Sequence, residues 1–157
     1  MRVVLQRVSR AAVSWRDPDG HDQRREIGPG LAILLGIGPH DAQKHAERLA
    51  EKIANLRIFA DTEGRTNRSL KDINGESLVV SQFTLYADTS RGRRPSFIRA
   101  GDPKQAEALY EHFAEQLQTS HGIPTQKGSF GAHMTVSIEN DGPVTLALST
   151  DDWPTTV

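Results

Sequence analysis

Leu78-Val79-Val80-Ser81-Gln82-Phe83-Thr84-Leu85-Tyr86 is the stretch on which the fold turns. Its three leading apolar residues read as part of a buried strand, running from Glu76 to Tyr86. The strand passes directly into Ser81, Gln82 and Thr84. Hydroxyls and an amide at the end of a buried strand require hydrogen-bond partners. Four arginines follow within nine residues: Arg91, Arg93, Arg94 and Arg99. Polar groups on a rigid strand beside clustered guanidinium groups point to an anionic substrate, phosphate above all. A plainer reading stays open for each. Such hydroxyls can simply satisfy neighbouring backbone groups, and such arginines can simply be solvated.

Upstream of this strand, Val3 to Val13 is rich in β-branched residues and also reads as a strand. Asp17-Pro18-Asp19-Gly20 and Ile27-Gly28-Pro29-Gly30 are turn signals. The second leads into Leu31 to Ile37, an apolar run that predicts another buried strand. Asp41 can cap a helix, and Ala46, Leu49, Ala50, Ile53 and Leu56 then fall on one helical face. Asp61 to Gly75 reads as irregular.

Downstream, Asp102-Pro103-Lys104-Gln105 has the form of a helix start, with Asp at the cap and Pro in the first turn. Ala106, Leu109, Tyr110, Phe113 and Leu117 form its buried stripe, and Gly122 ends it. Thr125 to Gly128, Ala132 to Glu139 and Val144 to Ser149 read as strands. The fold class is α+β: a mainly antiparallel, barrel-like sheet with two long amphipathic helices, forming one domain over residues 1–157. Thr150 to Val157 reads as a loosely held polar tail.

Bulk properties narrow the function. The 157 residues suffice for one core. A net charge of −1 excludes a globally basic nucleic-acid binder, so any RNA contact must be local. With no cysteine there is no disulfide, thiolate nucleophile or Cys-type zinc site. The early charges of Met1-Arg2-Val3-Val4-Leu5-Gln6-Arg7 argue against a signal peptide. No apolar run approaches the ~18 residues of a membrane span, so a cytoplasmic location is expected. The six histidines lack metal-ligand spacing. His133, beside a glycine-rich segment, is the one that bears watching. Thr84 has no His or Lys near it in sequence to act as a base, which a threonine nucleophile needs.

Two further stretches are unusual. Asn140-Asp141-Gly142-Pro143-Val144-Thr145 reads either as an Asp-Gly hairpin turn or as a unit that presents two main-chain carbonyls in a fixed direction. Its Pro143 removes a donor at the start of a strand. In Phe130-Gly131-Ala132-His133-Met134, the glycine permits close approach of a ligand. Phe130 and Met134 either flank a flat ring or belong to the core.

Taken together, Met1 to Val8, Ser81 to Phe97, Phe130-Gly131-Ala132 and Asn140 to Thr145 resemble the D-aminoacyl-tRNA deacylase family. The resemblance runs to about Leu148. It departs from the family pattern at Arg91, where lysine is expected, and in the longer tail. It implies hydrolysis of the ester that joins a D-amino acid, or glycine, to the 3′ acceptor end of tRNA. It implies a homodimer with sites near the interface, no cofactor, no metal and no membrane. On the same ground Ser81, Gln82, Phe83 and Thr84 would form the catalytic pocket. Gly142 and Pro143 would select chirality from the other subunit, with Arg7 supporting them. Phe130, Gly131 and Met134 would lie near the terminal adenine, and Arg91, Arg93, Arg94 and Arg99 near the phosphates.

Overall fold

The computed structural model describes residues 1–152. Strand β1 (Arg2–Arg16) is its spine. Its first half pairs antiparallel with β3 (Gly30–Gly36) and its second half with β2 (Asp22–Ile27). Along its other edge runs β8 (Met134–Ser149), also antiparallel. The Asp17–Gly20 turn joins β1 to β2, closed by Asp17 N donating to His21 O at 2.9 Å.

On its far side β3 pairs with β6 (Glu76–Ser81), and β6 with β7 (Thr125–Lys127). Both of these ladders are parallel. The sheet is therefore mixed and nearly closed, barrel-like: its longest ladders, all along β1, are antiparallel as expected, and the two parallel ladders are the departure. The cause lies in the connections. Parallel neighbours need a crossover, and helix α1 (Gln43–Asn55) with its following loops supplies one between β3 and β6. Helix α2 (Pro103–Glu115) supplies the other, between β6 and β7. A small hairpin, β4 (Phe59–Ala60) and β5 (Thr66–Arg68), stands apart from the main sheet.

Alternation along the strands builds two cores. Leu31, Ile33 and Leu35 face the helices together with Val3, Leu5 and Val79. Ala32, Leu78 and Val80 face inward with Val8, Ala11 and Val13. The helical stripes match their spacing: Ala46, Leu49, Ala50 and Ile53 are buried on α1, and Ala106, Leu109, Tyr110 and Phe113 on α2. Each helix has 13 residues, about 20 Å at 1.5 Å per residue, so neither is long.

Two local expectations change. Asp102 caps α2 as its position predicts, its Oδ1 accepting from Lys104 N and Gln105 N at 3.1 and 3.2 Å. Asp41 does not cap α1; Ala42 occupies the cap position. The Asp41 carboxylate is drawn instead into a buried cluster. It accepts from the Met1 ammonium at 2.5 Å and from Gly38 N at 2.7 Å. A buried carboxylate needs such partners, and they outcompete the exposed helix end. Of the expected tail, only Thr150 to Asp152 falls among the described residues, in a short 3₁₀ turn.

Candidate active site

The strand carrying the opening motif stops at Ser81, five residues before its expected end. Gln82 N still donates to Leu35 O at 2.8 Å, continuing the β3 pairing by one bond. The chain then turns into a 3₁₀ helix over Phe83–Tyr86. Leu85 N bonds to Gln82 O and Ala87 N to Thr84 O, at 3.2 and 3.0 Å. At the opening of such a turn the leading N–H groups have no partner within it. Those groups here are Phe83 and Thr84. Gly36 makes the approach possible, since a Cβ there would lie 2.9 Å from Gln82 O.

Beside this turn is a cleft of about 710 Å³, a size suited to a small ligand. Ser81, Gln82 and Phe83 form one wall, and Phe130, Gly131 and Met134 another. Residues singled out from two distant stretches thus meet at one cavity. Phe130 and Met134 serve on both sides of their open question: each packs against a core cluster and each faces the cleft. His133 lines it too. The far wall is held by Tyr110, whose hydroxyl donates to Val79 O at 2.9 Å and approaches Gly128 O at 3.2 Å. Burial pushes that phenol's pKa far above its ordinary value. The Tyr110 and Phe130 rings lie 5.7 Å apart.

Thr84 is exposed and does not line the cleft. Its Oγ1 accepts from Gln82 Nε2, an amide donor and not a base. Among the described residues no basic side chain is hydrogen-bonded to this hydroxyl, as a threonine nucleophile would require. Phe83 is 57% exposed and stands edge-on to Phe97, with centroids 5.1 Å apart.

Phe97 ends a loop closed by paired bonds between Asp88 and Ser96, at 2.7 and 2.9 Å. The four arginines belong to this region and none lines the cleft. All are exposed. Arg99 lies 3.2 Å from Asp88, while Arg91, Arg93 and Arg94 have no ion-pair partner among the described residues.

Asn140 to Thr145 is not a hairpin. The chain runs straight through as part of β8, and two register shifts opposite β1 mark a bulge there. Asn140 Oδ1 accepts from Val144 N at 2.9 Å and occupies the donor that a turn would have used. The Gly142–Pro143 bond is cis, and Gly142 has φ +138°. Arg7 holds the bulge: Nε donates to Asp141 O at 2.9 Å and Nη1 to Ile58 O at 2.6 Å. Asp141, Gly142 and Pro143 are exposed and do not line their own chain's cleft.

One cluster had no counterpart in the sequence reading. Asp17, Asp19 and His21 bring one ligand atom each within 4.8 Å of one another on the exposed β1–β2 turn. Turn formation accounts for it, because Asp17 Oδ1 accepts from Asp19 N and His21 N.

A mixed, nearly closed barrel of this kind is also the fold of known proteins. A solved structure titled c-Myc DNA Unwinding Element Binding Protein superposes with a TM-score of 0.86 at 42% identity, covering 96% of this chain and 99% of that one. Another, titled as a probable eukaryotic D-amino acid tRNA deacylase, shares the fold at a TM-score of 0.80 and 18% identity, covering 94% and 97%.

The family model for D-Tyr-tRNA(Tyr) deacylase matches residues 4–149, and the chain belongs to that family. A relative from Roseiflexus castenholzii, named D-aminoacyl-tRNA deacylase, is 60% identical over 94% of this chain and 91% of its own. One of the same name from Dehalococcoides mccartyi is 54% identical over 97% and 96%.

Proposed function

We propose that the chain is a hydrolase that cleaves the ester between a D-amino acid and the terminal adenosine of tRNA. The observation that carries this reading is the meeting of Ser81-Gln82-Phe83 with Phe130, Gly131 and Met134 at one cleft, in a chain of this family. The aminoacyl ester lies on the Ser81–Thr84 side and the adenine between Phe130 and Met134.

In this reading water attacks the ester carbonyl, the bond to the ribose oxygen breaks, and the proton passes to that oxygen. The Phe83 and Thr84 N–H groups face the developing oxyanion, each worth roughly 3 kcal/mol. Aminoacyl esters are reactive, and the adjacent ribose 2′-hydroxyl assists. Thr84 positions and does not attack.

The task of accepting any D side chain while refusing every L one suits main-chain atoms near the substrate Cα. Gly142 and Pro143 supply such atoms. They are exposed and absent from their own cleft, so in this reading a second copy of the chain brings them to it, and the working unit is a homodimer. Their carbonyls occupy the volume an L substituent needs, and refusal follows from steric exclusion. Glycine has no substituent to exclude, so glycyl-tRNA is a side substrate. Arg91, Arg93, Arg94 and Arg99 hold acceptor-end phosphates.

Hydrolysis of D-tyrosyl-tRNA, measured beside L-tyrosyl-tRNA and glycyl-tRNA, tests the reading. Release from the D and glycyl esters alone is expected. No release from any of the three, with tRNA still bound, would reduce the protein to an RNA-binding module.

A further inference from the structure

A second cleft, of about 870 Å³, adjoins the first. The two share Phe130, Gly131, Ala132 and His133, so this turn is the partition between them. The opposite wall comes from the end of β1 and the start of β2 and includes Trp15 and Gln23. Nothing in the hydrolytic reading uses either residue.

Gln23 is half-buried, and its Nε2 donates to Asp17 Oδ2 at 2.9 Å. The other Asp17 oxygen accepts main-chain N–H groups from His21 and Asp19 at 2.8 and 3.1 Å. These bonds, the one from His21 above all, hold the Asp17 carboxyl below the usual carboxylate range. A carboxylate only accepts, so the amide atom that faces it must be the NH₂. The orientation of Gln23 is thereby fixed. Its Oε1 is left as an acceptor with no protein partner among the described residues.

Trp15, the cross-strand partner of Gln23, lines the same cleft. The Arg25 guanidinium lies 5.6 Å from its ring centroid, but Arg25 does not line this cleft. The charges at the rim are balanced: Arg16 pairs with Asp22 at 3.1 Å and Arg24 with Glu26 at 2.7 Å. The cleft thus offers an aromatic side chain and, at Gln23 Oε1, an acceptor of fixed orientation, beside the hydroxyls of Ser14, Ser129 and Thr135, and its arginines are paired. Such a combination suits a base with an exocyclic amino group. Cytosine and adenine carry one where uracil carries a carbonyl.

We propose that this second cleft is a nucleotide subsite for the base preceding the terminal adenosine, with Trp15 as stacking surface and Gln23 Oε1 accepting from its amino group. The proposal rests on the reading that places the terminal adenosine in the first cleft. In tRNA the base in question is cytosine, which meets the requirement.

Equilibrium binding of three unacylated probes tests it without recourse to hydrolysis: adenosine 5′-monophosphate, cytidylyl-adenosine and uridylyl-adenosine. Cytidylyl-adenosine is expected to bind about tenfold tighter than the mononucleotide and about fivefold or more tighter than uridylyl-adenosine. The preference should be nearly independent of salt. Gln23→Leu should erase the cytosine–uracil difference and leave mononucleotide affinity unchanged. Trp15 packs against the barrel core, so Trp15→Phe is the safer companion, retaining a weaker stacking gain. Equal affinity for cytidylyl-adenosine and the mononucleotide would overturn the proposal. So would a cytosine preference untouched by Gln23→Leu. D-tyrosyl esters of the same probes separate the two readings: intact base preference without ester hydrolysis would sink the deacylase reading and leave the subsite standing.

Discussion

Arg7 grips Asp141 twice, its Nε donating to the main-chain oxygen at 2.9 Å and lying 3.3 Å from the carboxylate. The same guanidinium reaches Ile58 O at 2.6 Å, so one side chain ties the β8 bulge to the segment after α1. Arg7→Ala removes all of these bonds and leaves two main-chain carbonyls without their donor. A loss of about 2 kcal/mol is expected in chemical denaturation. Discrimination between D- and L-tyrosyl-tRNA should weaken at the same time. Lysine has one ammonium where arginine has a fork, so Arg7→Lys should recover only part of each.

Gly142→Ala strikes the bulge from the other direction. At φ +138° an L side chain is strained, and a Cβ there would meet Val144 Cγ2 at 2.8 Å, Val144 N at 2.9 Å and Arg7 Nη2 at 3.0 Å. The bulge must shift to admit it. We expect release of L-tyrosine to rise above background while D-tyrosine release falls by less than about tenfold. Unchanged rejection of the L ester, with the variant folded, would remove Gly142 from the gate.

Thr84→Ala isolates the chemistry. The hydroxyl is exposed and bonded to an amide donor, so its loss should leave turnover within about threefold of the parent. A fall of roughly four orders of magnitude would mark a covalent threonine mechanism instead.

Much of this arrangement was legible in the sequence, but unevenly. The α1 and α2 stripes were plain because the 3.6-residue period is local. The parallel pairing of β3, β6 and β7 was not, since a ladder partner leaves no mark in a strand's own residues. Phe83-Thr84-Leu85-Tyr86 favours a strand by composition, yet it folds as a 3₁₀ helix where Gly36 lets Gln82 come close, a contact between residues 46 positions apart that local composition does not carry. Asp141-Gly142 carries a hairpin signal. It is overridden by the Asn140 side chain and by Arg7, which lies 134 positions away in sequence. Gln23 and Trp15 belong to no motif. Only the fold sets them beside the Phe130–His133 turn.

The arginine loop should respond to acid. Donation from Ser90, and then the Arg99 charge, hold the Asp88 carboxyl below the usual carboxylate range. Since the folded value is the lower one, this support is fully present above the ordinary carboxylate pKa. It is lost as pH falls through the depressed folded value. The Gly92 amide resonance should therefore move below about pH 4. In Asp88→Asn it should already sit at the low-pH position at neutral pH. A Gly92 shift that is flat with pH in both proteins would disprove this control.

Arg93 and Arg94 are exposed guanidinium groups with no ion-pair partner among the described residues, on a loop joined to the cleft through the Phe97–Phe83 contact. If they meet phosphates, each contact releases counterions, and affinity falls with salt by about one unit of log–log slope per contact. The double variant Arg93→Ala/Arg94→Ala should flatten the salt dependence of tRNA binding by about two units. It should leave turnover of a saturating D-tyrosyl-tRNA nearly unchanged, because neither residue lines the cleft. An unaltered salt slope would assign the loop to solvent and move the phosphate path elsewhere. A reduced maximal rate with an unaltered slope would mean that the loop acts on Phe83 through Phe97, and not on the RNA.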